Sequence, residues 1–189
     1  MTLASTKNTM LENEDILNFW FTECTPEQWF KKNSEFDKML EARFAGIVDR
    51  ALAGKLESWA DADSGCLALI LSLDQFTRNI FRDTPRAFSG DEKALELSFL
   101  CEEIGYLANA NIHWCQFMLM PRMHSEDIAV QDVSLPLFKK LNVQNVYDYA
   151  VRHRDTVARF GRFPHRNSIL GRSSTNEELE FLTQADSSF

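Results

Sequence analysis

The sequence predicts an all-α fold built from antiparallel helical hairpins. Apolar residues recur at helical spacing along nearly the whole chain of 189 residues. Neither a sustained alternation of apolar and polar residues nor an Asn-Gly turn, which would mark a strand or a β-hairpin, occurs in it. Short polar links separate the helical segments, which favours antiparallel packing of successive helices. We therefore expect one all-α domain over residues 1–189, with residues 1–12 as a flexible N-terminus.

The individual helices follow from this spacing in chain order. The first, 13–22, begins at a cluster of Asn, Glu and Asp, and the second, 34–53, carries an apolar stripe that stops before Gly54. The third, 65–81, is apolar on almost every side, which predicts a central helix buried all round. Further helices are predicted over 90–104, 112–122, 125–141 and 144–160.

The end of the chain is predicted as a long loop followed by a short helix. In the loop, about 161–174, two glycines and a proline interrupt the helical pattern of apolar residues. Loops of this length in a compact helical protein are often functional. The closing helix, 176–184, begins after Thr175, and Glu178 completes a capping box with it.

A cluster of arginines is the strongest local feature of the sequence. Between Arg152 and Arg172 the chain has six arginines, two histidines, one acid and no lysine, whereas the whole protein has a formal net charge of −8. Arginine offers a planar, permanently charged fork that suits carboxylate and phosphate groups. The cluster therefore predicts the position of a site without naming its reaction.

The acidic charge balance and the cysteines bound the class of protein. Net negative charge argues against nucleic-acid partners and against anionic membrane surfaces. The N-terminal segment lacks an apolar signal core, and the longest apolar stretch, 66–71, is far too short for a membrane span. Reduced, mostly buried thiols are expected for the four widely spaced cysteines. These observations predict a cytoplasmic protein, and they give no oligomeric state.

The central helix carries the first candidate site residues. Asp74 and Arg78 are four residues apart, so they share one helix face and can pair. Burying such a pair costs several kcal/mol unless both ends are satisfied. A polar network that ties the helix to its neighbours and a ligand pocket explain the pair equally well.

A second candidate lies at the predicted start of the helix 125–141. Ser125 is a natural N-cap there, with Glu126 and Asp127 as first-turn acids favoured by the helix dipole. This structural explanation accounts for the cap and the two acids and leaves His124 unexplained. An imidazole beside two carboxylates is a candidate acid/base pair.

The third candidate is the arginine cluster itself. His153 lies on the apolar stripe of the helix 144–160 with Val146, Tyr149 and Val157, so it is expected to point inward. An inward histidine is more often a hydrogen-bonded core residue than a catalyst. The loop 161–174 adds further donors that can be aimed at one point, from Arg162, His165, Arg166 and Asn167.

Two explanations of these donors stay open. A convergent set of Arg, His and Asn donors suits a phosphate or carboxylate ligand. Alternatively, the arginines neutralise carboxylates as a buried structural lattice, with Asp74, Glu126, Asp127 and Asp155 as the acids. A metal site is not expected, because the histidines lack H-x-x-x-H or H-x-H spacing and the arginines would repel a cation. No glycine-rich phosphate loop points to a nucleotide cofactor.

Several short strings of aromatic, charged and polar residues follow one another in a specific order along the chain. They are Asn18–Phe21, Trp29–Phe30, Leu73–Arg82, Thr84–Phe88, Met123–Asp127, His153–Asp155 and Arg162–Asn167. Together they resemble the bacterial family catalogued as domain of unknown function 924. The resemblance covers nearly the whole chain and implies an all-α, tetratricopeptide-like fold. It brings no established activity and no catalytic residues.

Two functional hypotheses of different class follow. In the first, the polar residues line one enclosed pocket that binds a small anionic molecule, with acid/base or hydrolytic chemistry. The candidate catalytic residues are His124, His153, Asp74 and Asp127. The candidate ligand-binding residues are Arg78, Arg154, Arg162, His165, Arg166 and Asn167. In the second hypothesis, an open groove of a non-catalytic helical module binds an acidic peptide. Neither hypothesis includes a metal or a cofactor.

Overall fold

The computed structural model of the chain describes residues 12–108, 111–185 and 187–188, and all regular structure in these ranges is helical. The predicted all-α class is therefore confirmed. The expectation of a flexible N-terminus concerns residues that, apart from residue 12, lie outside the described ranges. The helices are α1 (12–23), α2 (Pro26–Phe30), α3 (Ser34–Leu52), α4 (63–80), α5 (Asp91–Glu103), α6 (Ile112–Met123), α7 (Ile128–Lys140), α8 (Gln144–Phe160) and α9 (Asn176–Leu182).

Most predicted helix ends agree with the structure, since the residues that stop or cap each helix act locally. Gly54 follows the end of α3 with a φ of 69°, and Gly161 ends α8 with a φ of 68°, a conformation that costs glycine least. The capping box at the start of α9 is present, with Thr175 and Glu178 bonded reciprocally. The short helix α2 was not predicted, although Thr25 and Gln28 form a capping box there as well.

The start of α7 corrects the sequence analysis. The cap is Asp127, whose carboxylate accepts from the amide of Ala129 at 2.8 Å, and not Ser125. Ser125 instead accepts from the amide of Asp127 at 3.2 Å, one turn before the helix. Both residues are good caps, and the backbone between α6 and α7 decides which one is used.

The centre of the fold is α4, which is buried from Gly65 to Thr77 as predicted. Its middle, Leu71–Phe76, is π-helical, while the segments on either side, Asp63–Ile70 and Thr77–Ile80, are α-helical. Aromatic side chains from α1, α3 and α6 pack around it. Trp20, for example, lies with its ring centroid 5.4 Å from Phe76 and 5.6 Å from Phe117.

On α8 the predicted inward stripe is correct except at one position. Val146, His153 and Val157 are buried, but Tyr149 is 49% exposed. Tyr149 lies at the edge of the stripe, where Arg152 covers its ring at 5.3 Å from the centroid. Separately, none of the described helices is both long and apolar enough to cross a membrane.

Candidate functional site

A fully buried carboxylate lies in the π-helical middle of α4. Asp74 is 0% exposed, and its side chain contacts three donors. Oδ1 lies 2.7 Å from Nδ1 of His124 and 3.1 Å from Nη1 of Arg78, and Oδ2 accepts from Nε2 of Gln75 at 2.6 Å. The contact between Oδ1 and Arg78 confirms the pairing of Asp74 with Arg78 that the sequence predicts. Single-turn π segments within α-helices, such as the one that carries Asp74, are frequent at functional sites.

These donors keep the Asp74 carboxyl ionised. Burial alone would raise the pKa of Asp74, because the charged form loses water. The charge of Arg78 and the hydrogen bonds from His124 and Gln75 outweigh burial and lower that pKa below its usual range. Asp74 therefore only accepts hydrogen bonds at neutral pH.

The ionised Asp74 fixes the tautomer of His124, which follows the last residue of α6. Because the carboxylate can only accept, the hydrogen in the 2.7 Å contact belongs to Nδ1 of the imidazole. Burial lowers the pKa of His124 despite the neighbouring Asp74, and the charge of Arg78 adds to the effect. The neutral ring therefore carries its lone pair on Nε2, which makes no hydrogen bond to the part of the chain that the structure describes.

Two arginines share a second carboxylate beside this pair. Arg78 donates from Nη1 and Nη2 to the two oxygens of Asp91, in the first turn of α5, at 2.8 and 2.9 Å. Arg166, from the loop after α8, reaches Oδ2 of Asp91 at 3.4 Å and donates to the carbonyl oxygen of His124 at 3.0 Å. The ring of Phe88 lies against both guanidinium groups, with its centroid 5.6 Å and 4.8 Å from their central carbons.

Arg166 is the least satisfied cation of the cluster. It is only 6% exposed, its one carboxylate contact is long, and its Nε has no hydrogen-bond partner among the described residues. Burial and the charge of Arg78 lower the pKa of Arg166 to about 10, so it stays charged at neutral pH. A buried charged donor without an acceptor is costly and is therefore uncommon in folded proteins.

The other two histidines of the predicted site lie around Phe163. His153 donates from Nδ1 to the carbonyl oxygen of Tyr149 at 2.8 Å, and its ring centroid is 6.2 Å from that of His124. Burial lowers the pKa of His153 well below its usual value. Burial and Arg166 lower the pKa of His165 to about 4. Both rings are therefore neutral at pH 7. The burial of His153 also confirms the inward orientation that the sequence predicts for it.

Glu126 anchors the loop that carries Arg166. Its carboxylate accepts from the backbone amide of Phe163 at 2.8 Å and from both terminal nitrogens of Arg172 at 2.6 and 2.9 Å. Neither Asp91 nor Arg172 is among the predicted site residues. In the sequence, Asp91 is simply part of the predicted helix 90–104, and Arg172 is the last residue of the basic window.

The comparisons with known proteins agree with the fold and leave the chemistry open. Residues 16–186 match the family described as "Bacterial protein of unknown function (DUF924)". The chain belongs to this family. A solved structure of a protein of unknown function from Agrobacterium tumefaciens is similar, with 36% identity and a TM-score of 0.87. The similarity covers 92% of this chain and 98% of that protein. A comparison with curated proteins gives no match.

In this member of the DUF924 family, four predicted site residues lie away from the cluster around Asp74. Arg154 pairs at the surface with Asp132 and Asp155, at 2.7 and 3.2 Å. The remaining three have structural partners. Asp127 is the exposed cap of α7, Arg162 donates to Glu178 of α9 at 2.7 Å, and Asn167 donates to Ser174 at 3.0 Å.

The arginines of the predicted pocket have acidic partners within the chain. All four arginines that were expected to hold an anion contact a carboxylate of the chain. A surface depression of about 530 Å³ borders the cluster at Glu126, and none of those arginines lines it. The described residues also contain no group of three or more His, Cys, Asp or Glu side chains placed to hold a metal ion.

Proposed function

We propose that the cluster of Asp74, His124, Arg78 and Arg166 binds a small anionic molecule and that His124 performs acid/base chemistry on it. The observation that carries this proposal is the 2.7 Å contact between the buried Asp74 carboxylate and Nδ1 of His124. That contact leaves Nε2 as the proton acceptor of a neutral imidazole. Asp127, Arg154 and Arg162 are not part of the proposal, because their hydrogen bonds and ion pairs are to residues outside this cluster.

The four side chains have complementary roles in this proposal. When Nε2 of His124 accepts a proton from water or substrate, the ring becomes positive, and the adjacent Asp74 carboxylate stabilises that charge. Arg78 and Arg166 provide the guanidinium donors that bind an anionic group. Hydrolysis by water activated at His124 is the reaction class that fits this set. His153, 6.2 Å away between ring centroids, supports the packing of His124.

Chemical labelling tests the proposal without knowledge of the substrate. Diethyl pyrocarbonate acylates unprotonated, accessible imidazole nitrogens, and mass spectrometry of peptides locates the product. We expect folded protein at pH 7 to be labelled at His124, whose side chain is 15% exposed, in the time course that labels the exposed His113. The buried His153 serves as the reference that stays unlabelled.

Added anions provide the second half of this test. Sodium acetate or inorganic phosphate should slow labelling of His124 and leave the rate at His113 unchanged, with sodium chloride at equal ionic strength as the control. The proposal is refuted if His113 reacts and His124 does not, or if neither anion protects His124.

A finer architecture and a location belong to the same proposal. Successive helices from α5 to α8 each pack against the next, which supports a tetratricopeptide-like arrangement of hairpins. Four buried cysteine thiols, none in a disulfide, support a cytoplasmic location. A non-catalytic module for an acidic peptide has less support, because it gives no role to the buried contact between Asp74 and His124.

A further inference from the structure

We infer that the anionic group of the ligand is a carboxylate and that it takes the position of Asp91 between Arg78 and Arg166. The inference rests on the proposed anion site and specifies its atoms and its ligand class. Asp91 would then be the chain's own substitute for the ligand. It closes the site when no ligand is bound and turns towards solvent when one binds.

The contacts of Asp91 outline the position of such a carboxylate. The two terminal nitrogens of Arg78 meet the two oxygens of Asp91 in a parallel arrangement, at 2.8 and 2.9 Å. This bidentate geometry matches a planar carboxylate. Arg166 approaches the same carboxylate from a second element of the fold, so two guanidinium groups surround one anionic group.

Asp91 forms only a long contact with Arg166, so the carboxylate of a ligand can bind Arg166 more closely than Asp91 does. The distance from Nη1 of Arg166 to Oδ2 of Asp91 is 3.4 Å, longer than a good charge-assisted hydrogen bond. Nε of Arg166 is buried and has no acceptor in the described part of the chain. A carboxylate that is not tethered to the backbone of α5 can shift towards Arg166 and shorten these contacts.

The side chain of Asp91 is also placed so that it can rotate away from the two arginines into solvent. Its side chain is 25% exposed, whereas Asp74, the other carboxylate on Arg78, is fully buried. It lies in the first turn of α5, where the helix dipole favours a negative charge even without an arginine partner. Rotation into water therefore costs Asp91 less than it would cost Asp74.

The surroundings favour a carboxylate over a phosphate. The ring of Phe88 faces both guanidinium groups, so an apolar surface lies beside the two cations. An organic carboxylate can pair its planar group with the guanidinium groups and place its carbon chain against the ring. A tetrahedral phosphate would leave oxygens against the ring without donors.

The variant Asp91→Asn tests the inference, because it removes the resident negative charge and keeps the size of the side chain. Calorimetric titration with sodium acetate should give binding at least about tenfold tighter than for the native chain, since the anion no longer competes with Asp91. Inorganic phosphate should bind more weakly than acetate. Asp49→Asn, which alters an exposed pair with Arg86, is the matched control and should leave acetate binding as in the native chain.

A second variant assigns the binding to Arg166. Asp91→Asn combined with Arg166→Gln should lose the gain in acetate affinity. The inference is overturned if Asp91→Asn shows no gain, if the gain survives Arg166→Gln, or if phosphate binds more tightly than acetate. Should Asp91→Asn not fold, the native protein decides the question. Its Arg166 Nε–Hε resonance must then shift on addition of acetate and stay in place with sodium chloride.

The outcomes separate this inference from the proposed function. Labelling of His124 by diethyl pyrocarbonate reports the acid/base group and needs no acetate. If His124 is labelled and acetate does not bind to Asp91→Asn, the ligand class is wrong and the acid/base proposal stands. If acetate binds and His124 is not labelled, the anion site stands and the acid/base proposal fails.

Discussion

Asp74→Ala should lower the free energy of unfolding by about 3–5 kcal/mol, the range found when one partner of a buried ion pair is removed. The side chain is 0% exposed, so no water replaces the lost acceptor. The substitution leaves the Nδ1–H of His124 and the amide of Gln75 unpaired in the protein interior. It also takes one of two carboxylates from Arg78. Urea unfolding followed by circular dichroism measures the change.

An exposed ion pair provides the control for this prediction. Asp49→Ala removes the partner of Arg86 at the surface, where both side chains are more than half exposed. The expected loss there is within about 1 kcal/mol. If the two variants unfold at the same urea concentration with the same slope, Asp74 does not hold a buried network.

Gly90→Ala should destabilise the protein by about 1–3 kcal/mol, the usual cost of overpacking a core. Gly90 precedes α5, and a Cβ there would lie closer to the carbonyl oxygen of Leu73 than real contacts allow. Its backbone conformation, with φ −99°, suits any residue, so the cost comes from the clash alone. The clash pushes α5 away from α4, which separates Asp91 from Arg78. Thermal unfolding followed by circular dichroism measures the loss.

Gly46 within α3 is the matched control, because a Cβ at that position meets nothing within 4 Å. Gly46→Ala should stabilise the protein by up to about 1 kcal/mol, since alanine is the better helix former. Equal effects of the two substitutions would show that α4 and α5 do not approach closely at Gly90.

Local features of the site were predictable from the sequence, and long-range ones were not. Asp74 and Arg78 are one helical turn apart, so their pairing follows from the geometry of any helix. Asp91 lies 13 residues from Arg78, and its residue type fits a first-turn acid equally well. Only the packing of α5 on α4 makes it a shared partner of two arginines.

The arginine cluster shows a second reason why spacing alone was insufficient. Arg154 and Arg166 belong to the same basic window, yet one lies on the outer face of α8 and the other is buried in the following loop. The periodicity of apolar residues along α8 correctly predicted that His153 points inward. No periodicity exists in the loop 161–174, where the contacts of Glu126 with Phe163 and Arg172 decide the path of the chain.

The most direct test of the acid/base site is an NMR titration of the His124 ring nitrogens between pH 4 and pH 8. We expect Nδ1 protonated and Nε2 bare at pH 7, with a pKa below the usual value because burial disfavours the imidazolium. His124 then binds its proton at a lower pH in the folded protein than in the unfolded chain. The free energy of unfolding should therefore decrease as the pH falls below about 6.5, where the unfolded chain takes up this proton first. An imidazolium at pH 7, or a hydrogen on Nε2 in place of Nδ1, would contradict the assignment of His124 as the base.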